Sequence, residues 1–485
     1  MERPHSRNTD YHAQSGWLHN VITSKHAEGM DLYPAPLLLP REPGDAGEAK
    51  VLSQILPCIL EQNDFESTFS DVLWQKLKFG TGCYKVSWDP SKLHHLGDIS
   101  IEKVNLLNVF WEPGVTDIQQ SRYFFHTELW DNDILTENYP ELKENLSSTG
   151  FTAQKFLSDD SISTDNKSTV VDVWYHRGGK LHYCRFVGDF LLFASENEPE
   201  MAERGYFDHG EIPYVFDTLF PIENSPCGYG YVDLCRNQQT EIDLLKTAIV
   251  HNAMVGILPR YFLRTDGKVN EEEYLDLSKP LIHVDGNLGE DSIREVPHTD
   301  LNGNYLALLD ETVAELRETS GNTEAGTGTL TTDMAAKAIN ALQNASNKLS
   351  RDSSAASFRA LRRIVYLSVE LIRQFYSIPR CFRIVGKDGE EDFLQYSNRN
   401  LIPAHQGEAF GVDLGWRTPT FDIRIEAQKK NPYSSMAQNE MALKLYAAGF
   451  FDPARRTEAM AALEMMDFDG KDSVRKKIEE SISAY

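Results

Sequence analysis

The sequence predicts an α+β chain built of several units, and three observations lead to that expectation. Short runs that alternate apolar with polar residues crowd between positions 83 and 194, whereas segments near 47–79, 228–256, 300–319 and beyond 333 carry apolar residues at helical spacing. A small β-rich insert interrupts two of the helical segments. A Gly/Thr loop then precedes a helix of unusual length. At 485 residues the chain exceeds what one core organises, so about two to four folding units are expected.

Residues 1–45 are polar and punctuated by Pro and Gly, which reads as an arm with weak structure. Leu52, Ile55, Leu56, Ile59 and Leu60, then Phe69, Val72, Leu73, Trp74 and Leu77, predict helix over most of 47–79. Pro57 predicts a kink or a split in it. Gly80-Thr81-Gly82 stops the run, Cys83 to Trp88 alternates as a strand, and Asp89-Pro90 turns it. Ile99 to Val104 is a second strand, and 105–125 reads as strand, turn, strand. Leu135 to Leu142 is a short helix with its stop at Tyr139-Pro140. Residues 146–168, rich in Ser, Thr and Asp, read as a loop. Val170 to Tyr175 and Leu181 to Val187 predict a hairpin across Arg177–Lys180, and Phe190 to Ala194 adds a strand.

From Gly228 the character changes. Val232, Ile242, Leu245, Ile249 and Val255 mark a helix of about twenty-five residues, with a polar interruption at Asn237 to Glu241. Residues 257–299 form the β-rich insert, with turns at Thr265-Asp266-Gly267 and Asp285-Gly286. Thr299 or Asp300 caps the next helix, whose apolar positions are Leu301, Tyr305, Leu308, Leu309, Val313 and Leu316. That helix ends at Ser320-Gly321. After the Gly/Thr loop, Asp333 starts a helix that reaches Tyr376, about 65 Å at 1.5 Å per residue, with a kink near Ser350 to Ser354. Pro379 ends it, strands follow near 382–385 and 420–425, and 434–482 is helical again.

Composition narrows the function. The net charge is −25, from 48 basic and 73 acidic residues, which argues against sequence-specific duplex binding through a broad basic face. It leaves room for a DNA conduit, because each neutralised phosphate adds grip and an acidic wall lowers friction. No run of about eighteen apolar residues occurs, so no membrane helix is expected, and the N-terminus lacks the apolar core of a signal peptide. Six cysteines, none in a C-x-x-C pair, read as isolated thiols in a reducing compartment. No phosphate-loop, H-E-x-x-H or G-x-S-x-G pattern is present, so neither a cofactor, a metal nor a catalytic residue is expected. The acidic run Glu271, Glu272, Glu273 reads as a solvated face.

The candidate contact residues lie in and after the loop. Asn322, Thr323, Thr327, Thr329, Thr331 and Thr332 offer hydrogen bonds to phosphates without strong charge, and Gly328 gives the backbone freedom. Lys337, Lys348 and Arg351, with Arg359, Arg362 and Arg363, make a local basic excess opposed only by Asp333 and Asp352. Such a stretch suits phosphates or acidic partner subunits.

The stretch from Arg317 to Arg363, with its ETSGN turn, Gly/Thr loop, Ala-rich segment and NKLSRD, resembles the portal proteins of tailed bacteriophages and prophages. So do Gly210 to Val215, Gly228 to Asp233 and Gln238 to Asp243, together with Phe79 to Gly82, Asp89-Pro90, Gly97 to Ile99 and Asn108 to Pro113. Asn431 to Ser434, Asn439-Glu440 and Tyr446 to Gly449 extend the likeness, so it covers roughly residues 50–480, and the ordered set carries it. The chain departs at Thr329 to Met334, where relatives often carry a longer Gly/Ser/Thr loop.

The resemblance implies a subunit with a mixed α/β wing (46–226 and 333–430) behind an N-terminal arm (1–45). It implies stem helices at 227–256 and 300–319, a clip at 257–299, a tunnel loop at 320–332 and a helical crown at 431–485. It implies a homo-oligomeric ring of roughly twelve subunits at one capsid vertex of the virion, assembled in the host cytoplasm. Double-stranded DNA would pass through it without sequence reading. The clip residues Arg264, Asp266, Lys268, Glu271, Glu272 and Glu273 would dock the large terminase subunit and later the head–tail adaptor. Major capsid and scaffolding proteins are further implied partners. Two rivals stand beside it. A DNA-processing enzyme needs a nucleotide loop or a carboxylate site, and a non-ring capsid or adaptor protein would leave the helix, insert, helix, loop order without a reason.

Overall fold

The computed structural model describes residues 12–142, 166–257, 261–263, 293–295, 303–322, 348–385, 391–405, 408–409, 412–413 and 415–429, with a few isolated positions between 443 and 463. Helix α1 (Trp17–Asp31) and strand β1 (Leu32–Pro40) open the fold. This corrects the expectation of a weakly structured arm. α1 buries Val21 and Ile22 against the core, and β1 pairs antiparallel with the last strand over nine residues, Leu32 opposite Lys429 to Pro40 opposite Phe421. Prolines in β1 had hidden it. Pro34, Pro36 and Pro40 share the parity of Leu38, whose N–H donates to Ser53 Oγ at 2.9 Å rather than to the partner strand. On that parity a missing N–H costs no ladder bond.

Helices α2 (Ala46–Gln62) and α3 (Phe65–Phe79) follow. α2 runs through Pro57 without a break, because the ring stands on its exposed side. The break comes instead at Asn63-Asp64, where Asp64 is left-handed (φ 47°). Asn63 Nδ2 caps α2 on the Ile59 carbonyl at 2.8 Å.

Strands β2 (Thr81–Asp89) and β3 (Asp98–Val104) form an antiparallel pair. β4 (Val109–Trp111), β5 (Tyr123–Asp131), helix α4 (Asn132–Asn138), β6 (Lys167–Arg177), β7 (Lys180–Val187) and β8 (Phe190–Ala194) come next. β4 to β8 make one antiparallel sheet in chain order, and β6 and β7 form the hairpin expected across Arg177–Lys180. Most of the loop expected at 146–168 lies outside the described residues, although Lys167 and Ser168 belong to β6. After helix α5 (Pro199–Arg204), strand β9 (Tyr214–Thr218) joins the other edge of β2. The hairpin β10 (Phe220–Pro221) and β11 (Gly228–Tyr229) leads into the long helix α6 (Tyr231–Ile257), which has no break at 237–241.

In the insert, β12 (Tyr261–Leu263) pairs antiparallel with β13 (Ile293–Glu295). Helix α7 (Gly303–Ser320) returns from it, and the cap expected at Thr299 or Asp300 lies outside the described residues. Helix α8 (Lys348–Phe375) is unbroken through Ser350 to Ser354, where a kink was expected; the stretch 333–347 lies outside the described residues. β14 (Arg380–Val385) pairs with β15 (Glu391–Tyr396). Short ladders β16 (Ala404–His405) with β19 (Trp416–Arg417) and β17 (Glu408–Ala409) with β18 (Val412–Asp413) precede β20 (Phe421–Lys429), the partner of β1. The helical tail expected from 434 lies almost wholly outside the described residues.

α8 is the axis of the core. Leu361, Ile364, Val365, Leu367, Leu371 and Ile372 are each at most 1% exposed and belong to the same cluster as α1, α2, α3 and the β2 sheet. Its C-terminal end is fixed by stacking and polar bonds together. Trp88 stacks on Phe375 at 4.6 Å, Tyr376 Oη donates to Asp98 at 2.7 Å, and the Arg380 guanidinium lies 4.1 Å from the Tyr376 ring centre.

Candidate nucleic-acid interface

α6 and α7 lie side by side, with Gln238 Nε2 donating to Glu315 Oε1 at 3.4 Å across them. Burial is confined to Tyr231, Cys235 and Ile242 of α6 and to Thr312, Leu316 and Ser320 of α7 among the described residues. Leu244 (64% exposed), Tyr305 (50%), Leu306 (53%), Leu308 and Met254 stand in the open. Exposed apolar side chains in this number on two long helices suit a covering partner. Acidic side chains also dominate the pair: Asp233, Glu241, Asp243, Asp310, Glu311, Glu315 and Glu318, against Arg236, Lys246 and Arg317. That suits a surface past which phosphates slide.

The loop root is held. Gly321 adopts φ +66°, and the Asn322 N–H returns to the Arg317 carbonyl at 3.0 Å, a glycine-type helix stop. Asn322 is only 8% exposed, and its Oδ1 accepts from Ser24 Oγ of α1 at 3.3 Å. Thr323, Thr327, Gly328, Thr329, Thr331, Thr332 and Lys337 lie outside the described residues, as do Arg264, Asp266, Lys268, Glu271, Glu272 and Glu273. Lys348 opens α8, and Arg351, one turn on, is exposed. Further along, Arg359 lines an open groove of about 380 Å³ with Thr116, Asp117, Gln119, Thr218 and Arg363. Arg359 forms no ion pair among the described residues, whereas Arg363 pairs with Glu211 at 2.7 Å.

Sequence reasoning missed two features. One is the contribution of α1, whose Ser24, Lys25 and Trp17 meet the end of α7; the weak periodicity of 17–31 gave no signal for it. The other is a fully buried lysine, Lys76. It is 0% exposed, lies 2.7 Å from Asp217 Oδ1, and donates to Ser357 Oγ and the Ser353 carbonyl, each at 2.8 Å. Burial holds its ammonium below the usual lysine range, and Asp217 opposes that shift. Its signal was legible, since Lys76 falls on the stripe of Phe69, Val72 and Leu73.

A second polar cluster joins the two sheets. His126, Glu128 and Asp172 bring potential ligand atoms within 4.8 Å of one another. Lys85 Nζ already stands 3.7 Å from Asp172 and 3.9 Å from Glu128, and Arg185 grips Asp172 with two bonds, at 2.6 and 3.1 Å. Burial, the largest single influence, would raise the Asp172 carboxyl, but Arg185, Lys85 and the Tyr183 hydroxyl together hold it below the usual range. Two cations therefore balance the two carboxylates, and the cluster reads as an internal ion network.

His126 sits in that network with its pKa lowered to about 4, by burial first and by Lys85 second, against Glu128, Asp172 and Glu102. His209 is lowered to about 4 as well, by burial and by Arg363. Both are neutral in the fold where the unfolded chain would protonate near 6.5. Stability is therefore expected to fall as pH drops from about 6.5 towards 4, by up to about 3 kcal/mol for His126. Urea titrations of wild type and His126→Gln across that range test it. A loss of the same size in the variant would show that His126 is not the cause.

The sequence profile described as Phage P22-like portal protein matches residues 33–211 and 201–484. No curated protein matches the chain. Together the two matched segments run from residue 33 to residue 484. The chain belongs to the family of phage P22-like portal proteins.

Proposed function

We propose that the protein is one subunit of a closed ring, roughly twelve copies around, through which a separate motor moves double-stranded DNA into the capsid and from which the genome later leaves. The observation that carries this is the α6–α7 pair, with exposed apolar side chains and an acidic surface, followed in sequence by a Gly/Thr-rich stretch. In a heterologous ring a second copy covers Leu244, Tyr305, Leu306 and Leu308. The segment from Asn322 to Thr332 is the tunnel loop, with Asn322 as its anchored root and the threonines touching the DNA backbone. Lys337, Lys348 and Arg351 meet phosphates or the neighbouring subunit.

The clip between β12 and β13, through Arg264, Asp266, Lys268, Glu271, Glu272 and Glu273, docks the terminase large subunit and then the head–tail adaptor. Capsid and scaffolding proteins meet the wing. The subunit works at the portal vertex of the virion after assembly in the host cytoplasm. Its role is steric and electrostatic, and no residue is assigned a catalytic step.

Deleting Asn322 to Thr331 is expected to leave rings intact in electron micrographs while packaged or retained DNA falls well below wild type. Packaging at the wild-type level in that variant would remove the loop from the DNA path. A stable monomer or dimer at assembly concentrations, with all partners supplied, would remove the ring itself.

A further inference from the structure

We propose that Ser24 and Lys25 of α1 are positioning residues for the loop that leaves α7. The proposal deepens the reading above and rests on it.

α1 meets the last turn of α7 at three points. The Trp17 ring lies 4.9 Å from the Arg317 guanidinium, Ser24 Oγ donates to Asn322 Oδ1 at 3.3 Å, and Lys25 Nζ donates to the Gly321 carbonyl at 3.4 Å. Lys25 is 7% exposed and is paired with Glu28 Oε2 at 3.2 Å, so its position is itself fixed. A cation at a helix C-terminus also meets the negative end of the helix dipole and the unpaired final carbonyls. Here that cation comes from another helix.

The same segment grips α6. The Ala13 N–H donates to Thr247 Oγ1 at 2.9 Å, and the Ser15 N–H and Oγ donate to Asp243 Oδ1 at 2.8 and 2.5 Å. Gln239 closes the contact in both directions, accepting from the Leu18 N–H at 2.9 Å and donating to the Ser15 carbonyl at 2.6 Å. On its other side α1 is seated on α3. His26 stacks on Trp74 at 4.3 Å, and a Cβ at Gly29 would stand 2.7 Å from Leu73 Cδ2.

α1 therefore ties the wing core to both stem helices, and two of its side chains end on the loop root. The first two turns of α7 are almost wholly exposed in the protomer, so its end is placed by the buried Thr312, Leu316 and Ser320 together with the clamp from α1. A DNA-contacting loop needs a fixed root, because displacement there moves every residue beyond it.

The test uses assembled full-length rings of wild type, Ser24→Ala, Lys25→Met and Lys25→Arg, followed by hydrogen exchange. In Lys25→Met the Gly321 and Asn322 amides are expected to exchange about tenfold faster, the equivalent of one lost charge-assisted hydrogen bond. Amides of α8 keep their wild-type rates, and Lys25→Arg restores protection. Folded Lys25→Met rings with wild-type exchange at 321–322 would overturn the proposal. Should Lys25→Met not fold, Ser24→Ala decides on the same amides, with faster exchange at Asn322 supporting the proposal and unchanged exchange overturning it. DNA retention separates the two layers. Faster exchange with normal retention would uphold the positioning role and sink the tunnel-loop reading.

Discussion

Lys76→Met is expected to destabilise the protein by about 3–5 kcal/mol, because it strands a buried carboxylate. Asp217 is 2% exposed and faces Lys76 Nζ at 2.7 Å, with Ser357 Oγ donating to its other oxygen at 2.6 Å. Methionine keeps the volume of the lysine stem, so no cavity forms and the loss reports the charge. The two groups join α3 to β9, and Lys76 also holds the Ser353 carbonyl and Ser357 in the first turns of α8. The variant should therefore loosen the start of α8 before the rest of the core. Lys76→Met combined with Asp217→Leu should recover most of the loss, since a buried pair replaced by apolar residues is often near neutral. Urea unfolding of the two variants decides the matter. A single-variant loss under about 1 kcal/mol would mean that Asp217 finds water or another donor.

Gly80→Ala should cost about 3 kcal/mol and disturb the joint between α3 and the start of α6. Gly80 ends α3 in the left-handed region at φ +84°, and a Cβ there would stand 2.3 Å from the Tyr229 carbonyl carbon and 2.5 Å from the Gly228 oxygen. The approach is mutual, since a Cβ at Gly230 would meet the Lys78 oxygen at 2.5 Å. Two backbones cross in contact two residues before α6 begins, so a displacement there is passed to the start of α6. Gly178→Ala is the control. Its φ is +61° but nothing lies within 4 Å of an added Cβ, so it should cost only about 1–2 kcal/mol of backbone strain. Equal melting losses in the two variants would show that φ, and not the crossing, is what matters. The yield of assembled protein read alongside would show whether the entry into α6 limits assembly.

Much of the architecture was legible because it rests on local periodicity. The hairpin at 170–187, the strand at 83–88, helices α6 and α7 and the C-terminal half of α8 each carry their own pattern. What was missed is non-local. β1 reads as loop because three prolines mask it, and only its remote partner β20 gives it a structure. α1 has little amphipathic signal and is held by bonds to residues more than two hundred positions away. Pro57 misled for the opposite reason: a local rule predicted a break that its exposed position made unnecessary. For the candidate site, sequence reading placed the end of the helix at Ser320-Gly321, but not the α1 side chains that meet it.

The β1–β20 pairing also bears on how the chain is made. Leu32 faces Lys429, so the first strand leaves the ribosome roughly 400 residues ahead of its partner. At about 5–20 residues per second it waits on the order of 20 to 80 s with an unpaired edge. Such an edge invites pairing with other nascent chains. Prolines at 34, 36 and 40 deny one side of the strand its donors during that wait, while the β20 side stays available. The protomer's seam therefore closes near the end of synthesis, and copies with their N-terminal strand already docked are the ones ready to assemble.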